Sequence, residues 1–438
     1  MNRRVTIPLL LTLAWALPLR AQSSAEINAG LEFNFASPGA RSLGVGGAFV
    51  GIADDAMASY TNPAGLLNIS RPQLALELRG WSFTNTFTDS GRASGKLTNL
   101  GTDTFAGLRD GQLTRRVANL SYASIVYPQR RWAVALYRQE LARFRASAQT
   151  AGAFFEAVDP ITHERFASRF FAARGGLDLR VISYGASAAA SVNDHLIFGA
   201  TLAYQSFQLD STTVRFFTDE KGPASYTDPV NLQEQHGTDD RLALNAGMLW
   251  QIDSRVTLGA VYRQGSSFRL KVWSAAPGET EIDKKPAQFH IPDVAAIGVA
   301  IRPHEDGRTI VSIDVDRIGY SKLTRGFVPL VGEPDLYRVD DGTEVHLGYE
   351  RFLAPGEQHL LRSKYPLVVR LGAWREPDHR LRYTDPLNPQ ALLFRRGKAE
   401  YHVSGGLGIA VGSTWEGDAA YDYSRRQRIL SFSFGRSF

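Results

Sequence analysis

The chain has 438 residues, 49 Lys and Arg against 44 Asp and Glu, and no cysteine. The missing thiols exclude a disulfide framework, a lipoprotein anchor at a cleavage site, and catalysis or metal binding through sulfur. Without Arg3, Arg4 and Arg20 the formal charge drops from +5 to +2 (46 basic against 44 acidic residues), so the basic balance gives no reason to expect a nucleic-acid partner.

Residues 1–21 read as a secretory signal peptide: Arg3 and Arg4, an apolar run from Val5 to Leu19, and a small residue, Ala21, at the cleavage position. Beyond it no stretch reaches the roughly 18 apolar residues of a membrane helix, so any membrane crossing has to be made by strands.

Residues 22–72 do not alternate and have no place in a strand wall, so they are expected to form an N-terminal segment folded into whatever the strands enclose. Residues 73–438 alternate instead. In "HLIFGATLAYQSF" Leu196, Phe198, Ala200, Leu202 and Tyr204 share one face, opposite a small face of Ile197, Gly199, Thr201, Ala203 and Gln205. Fourteen strands are expected, near 73–88, 116–127, 130–144, 178–191, 194–210, 240–252, 255–271, 291–302, 308–320, 343–353, 365–375, 400–412, 415–424 and 427–438.

Short links such as Pro128-Gln129, Asn193-Asp194 and Asp253-Ser254 alternate with long ones, including 89–115, 145–177, 211–239 and 376–399. Tight turns at one end, long loops at the other and an even strand number predict an all-β, antiparallel transmembrane barrel. Closure is required because hydrocarbon offers no partner to a sheet edge. Trp132, Trp250, Tyr262, Tyr349, Trp374, Trp415 and Tyr423 fall towards strand ends and are expected to form aromatic girdles.

The long connection at 145–177 suggests a loop helix: Asp159 can cap, Pro160 fits the first position, and Gly175 can end it. Phe166 and Phe170 would then lie one turn apart, and Phe154, Phe155 and Phe171 add apolar surface for first contact with a hydrophobic molecule; the other reading is a lid packed over the barrel mouth. Alternation points Arg79, Arg263 and Arg370 inwards, where each could hold a ligand carboxylate. The other inward ionisable residues are Glu77, Asp314, Asp316, Glu344, His346, Glu350, Glu416, Asp418 and Asp422, and pairing among such charges, holding the N-terminal segment to the wall, is the commoner fate inside a barrel. No zinc spacing, nucleophile elbow or dinucleotide fingerprint occurs, so no catalytic residue, metal site or cofactor is expected, and the chain does not read as an enzyme.

The C-terminal "RILSFSFGRSF" places Leu430, Phe432, Phe434 and Phe438 on one face. It resembles the signal by which barrel-assembly machinery recognises its substrates through a terminal aromatic, although Arg436 occupies a slot where an apolar residue is expected.

The stretch "GARSLGVGGAFVGIADDAMASYTNPAGL" carries GxGGAF at Gly44–Phe49, DDA at Asp54–Ala56 and NPAG at Asn62–Gly65. It resembles the N-terminal hatch of the FadL and TodX family of outer-membrane transporters, and "IPDVAAIGVAIRP", "EVHLGYERFL" and "VSGGLGIAV" extend the resemblance along the chain. The resemblance implies a fourteen-stranded barrel in the outer membrane of a Gram-negative-type bacterium, a hatch over 22–72, and passive uptake of a hydrophobic small molecule such as a fatty acid or hydrocarbon. It further implies capture outside, sideways release into outer-membrane lipid, and a gate at Asn62, Pro63, Ala64 and Gly65. Pro63 removes a donor and drives the preceding residues towards extended geometry, while Gly65 permits a turn closed to other residues. PorV-like barrels, which serve protein secretion or surface attachment through a partner protein, share this hatch wording. A general porin is the third reading.

Overall fold

The computed structural model describes residues 37–158, 161–169, 172–218, 223–275, 283–325, 337–355, 363–386, 391, 394 and 396–438. The expected signal peptide lies outside the described residues. In chain order come α1 (Ala40–Gly44), α2 (Ala58–Thr61), a 3-10 turn (Pro63–Asn68), β1 (Gln73–Arg92), β2 (Gly107–Pro128), β3 (Trp132–Thr150), β4 (Phe154–Val158) and β5 (Arg165–Arg169). Then follow β6 (Ala172–Ser191), β7 (Leu196–Phe216), β8 (Pro229–Gln251), β9 (Val256–Arg263), β10 (Ser267–Ala275), β11 (Asp283–His290), β12 (Val294–Ile301) and β13 (Thr309–Ile318). The rest are a 3-10 turn (Tyr320–Thr324), β14 (Tyr337–Arg338), β15 (Gly342–Leu353), β16 (Leu367–Glu376), β17 (Arg382–Tyr383), β18 (Glu400–Val411), β19 (Trp415–Tyr423) and β20 (Gln427–Ser437).

Antiparallel pairing runs from strand to strand and closes where β1 meets β20, Gln73 opposite Ser437 and Phe83 opposite Gln427. The result is a closed barrel of fourteen staves. β9 with β10 and β11 with β12 are single staves interrupted at 264–266 and 291–293, β4 and β5 form a hairpin over the long-loop end, and β14 pairs with β17 as a separate ribbon. The interruption is a close approach: a Cβ on Gly265 would lie 1.9 Å from the Ile291 carbonyl, and Asp293 accepts the Gly265 N–H at 2.8 Å.

The outward face carries the apolar belt that alternation predicts. Leu74, Leu76 and Leu78 on β1, Phe198 and Leu202 on β7, and Phe432 and Phe434 on β20 are exposed, while their neighbours in sequence are buried in the lumen. Trp132, Trp250, Tyr262, Tyr349, Trp415 and Tyr423 lie on this outer face as girdle residues. Trp374 does not: it points inwards, donates to Asp422 at 3.0 Å and stacks on His402. Arg436 sits between the rings of Trp415 and Phe438, 4.9 and 4.7 Å from their centroids, so the slot is filled by a cation lying on aromatics at the end of the wall.

Two further expectations are corrected. Much of the supposed long loops is strand, because β1, β2, β3, β6, β7 and β8 run for 19–23 residues and rise well past the apolar belt. Nor does a helix form across 159–175: Arg165–Arg169 pairs with β4, and Gly175 is inside β6 opposite Ala148. Asp159 and Pro160 lie outside the described residues. Pairing with strands already in place outweighs local capping signals, which are worth about 1 kcal/mol.

Candidate functional site: hatch, apolar sleeve and wall seam

Residues 37–69 lie inside the barrel, and most of their side chains are buried. The sequence makes this segment compact: small residues and glycines let it turn in α1, α2 and the 3-10 turn without long side chains that the lumen could not hold. Asn62 is fully buried and caps the 3-10 turn, its Oδ1 accepting the Ala64 N–H at 3.3 Å, with Pro63 at the first position. Its Nδ2 donates to the Val50 carbonyl at 3.0 Å and to the Met248 carbonyl of β8 at 3.1 Å, tying the turn to the wall.

The fit is close enough that two wall glycines are required. A Cβ on Gly247 would stand 2.1 Å from Asn62 Oδ1, and one on Gly199 would stand 2.3 Å from the Ala64 nitrogen. The small face noticed along 197–205 is therefore the clearance for this turn, a signal that alternation registers without saying what fills the space.

Further contacts hold the segment around its perimeter. The Val50 N–H donates to Asp314 at 2.6 Å, Ser187 donates to the Ser59 carbonyl at 2.7 Å, Tyr122 to the Ala56 carbonyl at 2.9 Å, and Ser404 to the Gly44 carbonyl at 3.3 Å. Arg41 clamps Glu350 through two bonds of 2.8 and 2.9 Å and meets Asp54 at 2.6 Å. Burial pushes the Asp55 carboxyl up to about 7, against the pull of Arg41, with Asp54 and Glu416 adding to the rise. A cavity of about 250 Å³ opens beside these residues towards the tight-turn end, where the charges of Arg41, Asp55, Glu350, Arg370, Glu416 and Asp418 stand among apolar side chains that include Met57, Phe352 and Val368.

The three inward arginines are paired with protein carboxylates. Arg79 meets Glu77 at 2.7 Å, Arg263 meets Asp316 at 3.6 Å, and Arg370 meets Glu350 and Asp418 at 2.6 Å each. Arg79 also donates to the Ser37 carbonyl and Arg263 to the Thr61 carbonyl, each at 3.3 Å, so both are covered by the N-terminal segment. The structure thus uses these charges to join segment and wall.

Towards the long-loop end the lumen changes character. Phe83, Phe144, Leu179, Phe207, Leu209, Phe268 and Phe289 are buried on inward faces, with the Phe207 ring 4.8 Å from that of Phe268 and 5.1 Å from that of Phe289. This apolar sleeve went unnoticed in the sequence as a site, although its members keep the inward parity of their strands.

Beside the sleeve the wall is incomplete. The β2–β3 ladder runs from Pro128 opposite Ala133 only to Tyr122 opposite Gln139. Beyond that rung β2 continues on β1 as far as Leu108, and β3 continues on β6 as far as Thr150. Bulges at Ser121 and Leu141 mark the divergence. The seam is bridged by side chains: Arg138 to the Leu120 and Ser121 carbonyls, Asn119 to Glu140, and Arg115 to the Ser147 carbonyl.

The five phenylalanines expected to capture ligand separate. Phe154 is buried, with the Arg169 guanidinium 5.0 Å from its ring; Phe155 is half-buried; Phe166 is exposed; Phe170 and Phe171 lie outside the described residues.

No family model matches the sequence, and no curated protein matches it. Solved structures do resemble this one. A FadL homologue of Pseudomonas aeruginosa superposes with a TM-score of 0.62 at 15% identity, covering 93% of this chain and 99% of the other. The toluene transporter TbuX of Ralstonia pickettii gives 0.56 at 15% identity over 92% and 99%, and the monoaromatic hydrocarbon channel CymD gives 0.53 at 16% identity over 93% and 99%. Across nearly its whole length, the chain has the fourteen-stranded barrel fold of the FadL and TodX outer-membrane proteins.

Proposed function

We propose that this protein sits in the outer membrane and passively admits hydrophobic molecules, fatty acids or hydrocarbons among them. The observation that carries the reading is the apolar sleeve, which descends from the long-loop end and meets the N-terminal segment beside a seam in the wall. A hydrophobic molecule gains roughly 25 cal/mol for each Å² it removes from water, so such a sleeve draws it in without an energy source. The seam, closed by side chains and not by a backbone ladder, supports sideways release into lipid. A wide aqueous porin has no use for a sleeve of phenylalanines above a packed segment.

In this reading Phe166 is the exposed member of the capture surface, and Asn62, Pro63, Ala64 and Gly65 form the gate. Since Asn62 bonds both its own turn and the wall, opening requires the loss of at least its bond to Met248. The terminal Phe438 serves recognition by barrel-assembly machinery. The test is uptake of radiolabelled dodecane and dodecanoate by cells carrying the full-length protein. Uptake above that of cells without it is expected, and raised uptake with Asn62→Ala, which lacks the bond that holds the turn to the wall. Uptake equal to that of empty cells, with folded protein present, overturns the proposal.

A further inference from the structure

The foot of the sleeve carries a row of polar side chains that the reading above does not use. Gln139 of β3, Ser183 of β6 and Gln205 of β7 stand directly opposite one another, Gln139 to Ser183 and Ser183 to Gln205, all facing inwards and all buried. Residues opposed in this way have Cβ atoms about 5 Å apart, so the three form one surface. The next rows outwards are apolar: first Ala142, Val181 and Phe207, with the bulged Leu141 beside them, then Phe144, Leu179 and Leu209. On the inner side lie Tyr137 and, packed edge-on against it at 5.8 Å, Tyr60 of the N-terminal segment.

The row is chemically incomplete. Gln139 Nε2 donates to the Glu140 carbonyl at 3.2 Å, which fixes the amide and leaves Oε1 as the free atom. Gln139 is 0% exposed and Gln205 5%, and the Oε1 of each has no hydrogen-bond partner among the described residues. A buried acceptor without a donor costs free energy, and here two of them flank Ser183, one strand to either side, at the end of an apolar path. Gln139 also forms the last rung of the β2–β3 ladder, so the row lies at the foot of the seam.

We infer that this row is a head-group station for an apolar molecule bearing a neutral hydrogen-bond donor, an alcohol or a phenol, whose hydroxyl donates to Gln139 or Gln205 while its body fills the sleeve. This rests on the transport reading and narrows its substrate class. The unpartnered groups here, among the described residues, are the two amide oxygens and the neighbouring Tyr137 hydroxyl, a set that a head group both donating and accepting, as an alcohol or phenol does, can satisfy, whereas a carboxylate has no proton to give the oxygens. Arg79 and Arg263 are covered by the N-terminal segment, and Glu140 and Arg138 in the seam pair with each other at 3.6 Å, so neither an anion nor a cation finds a free counter-charge among these residues, and either would lose its hydration in the apolar sleeve. A hydrocarbon satisfies the apolar residues of the sleeve and leaves both acceptors bare.

The test measures uptake of radiolabelled decan-1-ol, decane, decanoate and decylammonium by cells carrying the full-length protein, each corrected for cells without it. One hydrogen bond to a buried acceptor corresponds to about a tenfold preference, so decan-1-ol should outpace the other three by about that factor. Gln139→Leu with Gln205→Leu should bring decan-1-ol down to the decane rate and leave decane unchanged, with heat-modifiable gel mobility confirming that the variant barrel folds. A preference for decanoate or decylammonium, equal rates for all four probes, or an alcohol preference that survives in the double variant overturns the station. Equal rates above background leave the transport reading standing; no uptake of any probe removes both.

Discussion

The two sides of the barrel are built differently. From β1 to β8 the continuous staves are 19–23 residues long, whereas β13, β15, β16, β18, β19 and β20 have 9–12. About 9 to 11 tilted residues cross a bilayer, so the short side does little more than span. The tall side continues for some ten residues, about 30 Å along the strand. Their interiors differ to match. The short side faces the N-terminal segment with Asp314, His346, Glu350, Arg370, His402 and Asp422, several of them in ion pairs with one another or bonded to the segment. The tall side supplies Phe83, Phe144 and Phe207 of the sleeve and the seam between β2 and β3, while Phe268 and Phe289 come from the interrupted staves. Ion-paired anchorage is concentrated on the short side and the seam on the tall side, which holds the segment mainly through single hydrogen bonds from Tyr122, Ser187 and the Met248 carbonyl, and a change in one is expected to leave the other largely intact.

The largest effect is expected where the short side grips the segment. Glu350→Ala removes the carboxylate that Arg41 and Arg370 share and leaves them chiefly with Asp54 and Asp418, a loss at the low end of the ~3–5 kcal/mol that breaking a buried pair costs. Urea unfolding followed by tryptophan fluorescence would register it; a loss comparable to that of an exposed pair such as Arg255–Glu305 would break the comparison.

Asp55 gives a pH-dependent counterpart. Its folded carboxyl is held at about 7, above its ordinary value of 3.8, so the folded state keeps a proton that the unfolded state releases. Stability is therefore highest below about pH 4 as far as this group is concerned, and falls as the pH rises from 4 to 7. Asp55→Asn should flatten the change in urea midpoint between pH 5 and pH 8; an unchanged pH slope would mean that the group does not titrate in this window.

Asn62→Ala removes the link from the turn to β8 and leaves the Val50 and Met248 carbonyls without that donor, at about 1–3 kcal/mol. Hydrogen exchange should speed up in residues 50–66 more than in β15 and β16. Uniform acceleration would show that the segment and the short side open as one unit.

The smallest change in stability belongs to the seam. Arg138→Ala removes a bridge to the Leu120 and Ser121 carbonyls at a partly exposed site, worth about 1 kcal/mol or less. Yet hydrophobic uptake should rise severalfold, since the seam has no ladder there to take over. Unchanged uptake would remove the seam as the exit.

Much of this was legible in the chain. Alternation gave the fourteen staves and the inward or outward sense of most residues, and Asn62, Pro63 and Gly65 announced a tight turn. Where the outward face meets water and not lipid, as at Thr114, Arg116 and Arg145, the alternation weakens and the strand extensions of the tall side read as loop. Capping residues suggested a helix where cross-strand pairing made a hairpin and a stave. Trp374 was misassigned because an aromatic near a strand end fits a girdle or a lumenal stack equally well until its parity against Arg370 is fixed.

The sequence by itself determined a closed sheet and a compact N-terminal segment, because period-two hydrophobicity and glycine-rich turns are local properties that need no partner to be read. Tertiary structure alone decided which carboxylate neutralises each arginine, which glycines of the wall receive the Asn62 turn, and where β2 parts from β3. Those depend on register, and register brings together residues up to several hundred positions apart, as in the bond between Ala40 and Ser433.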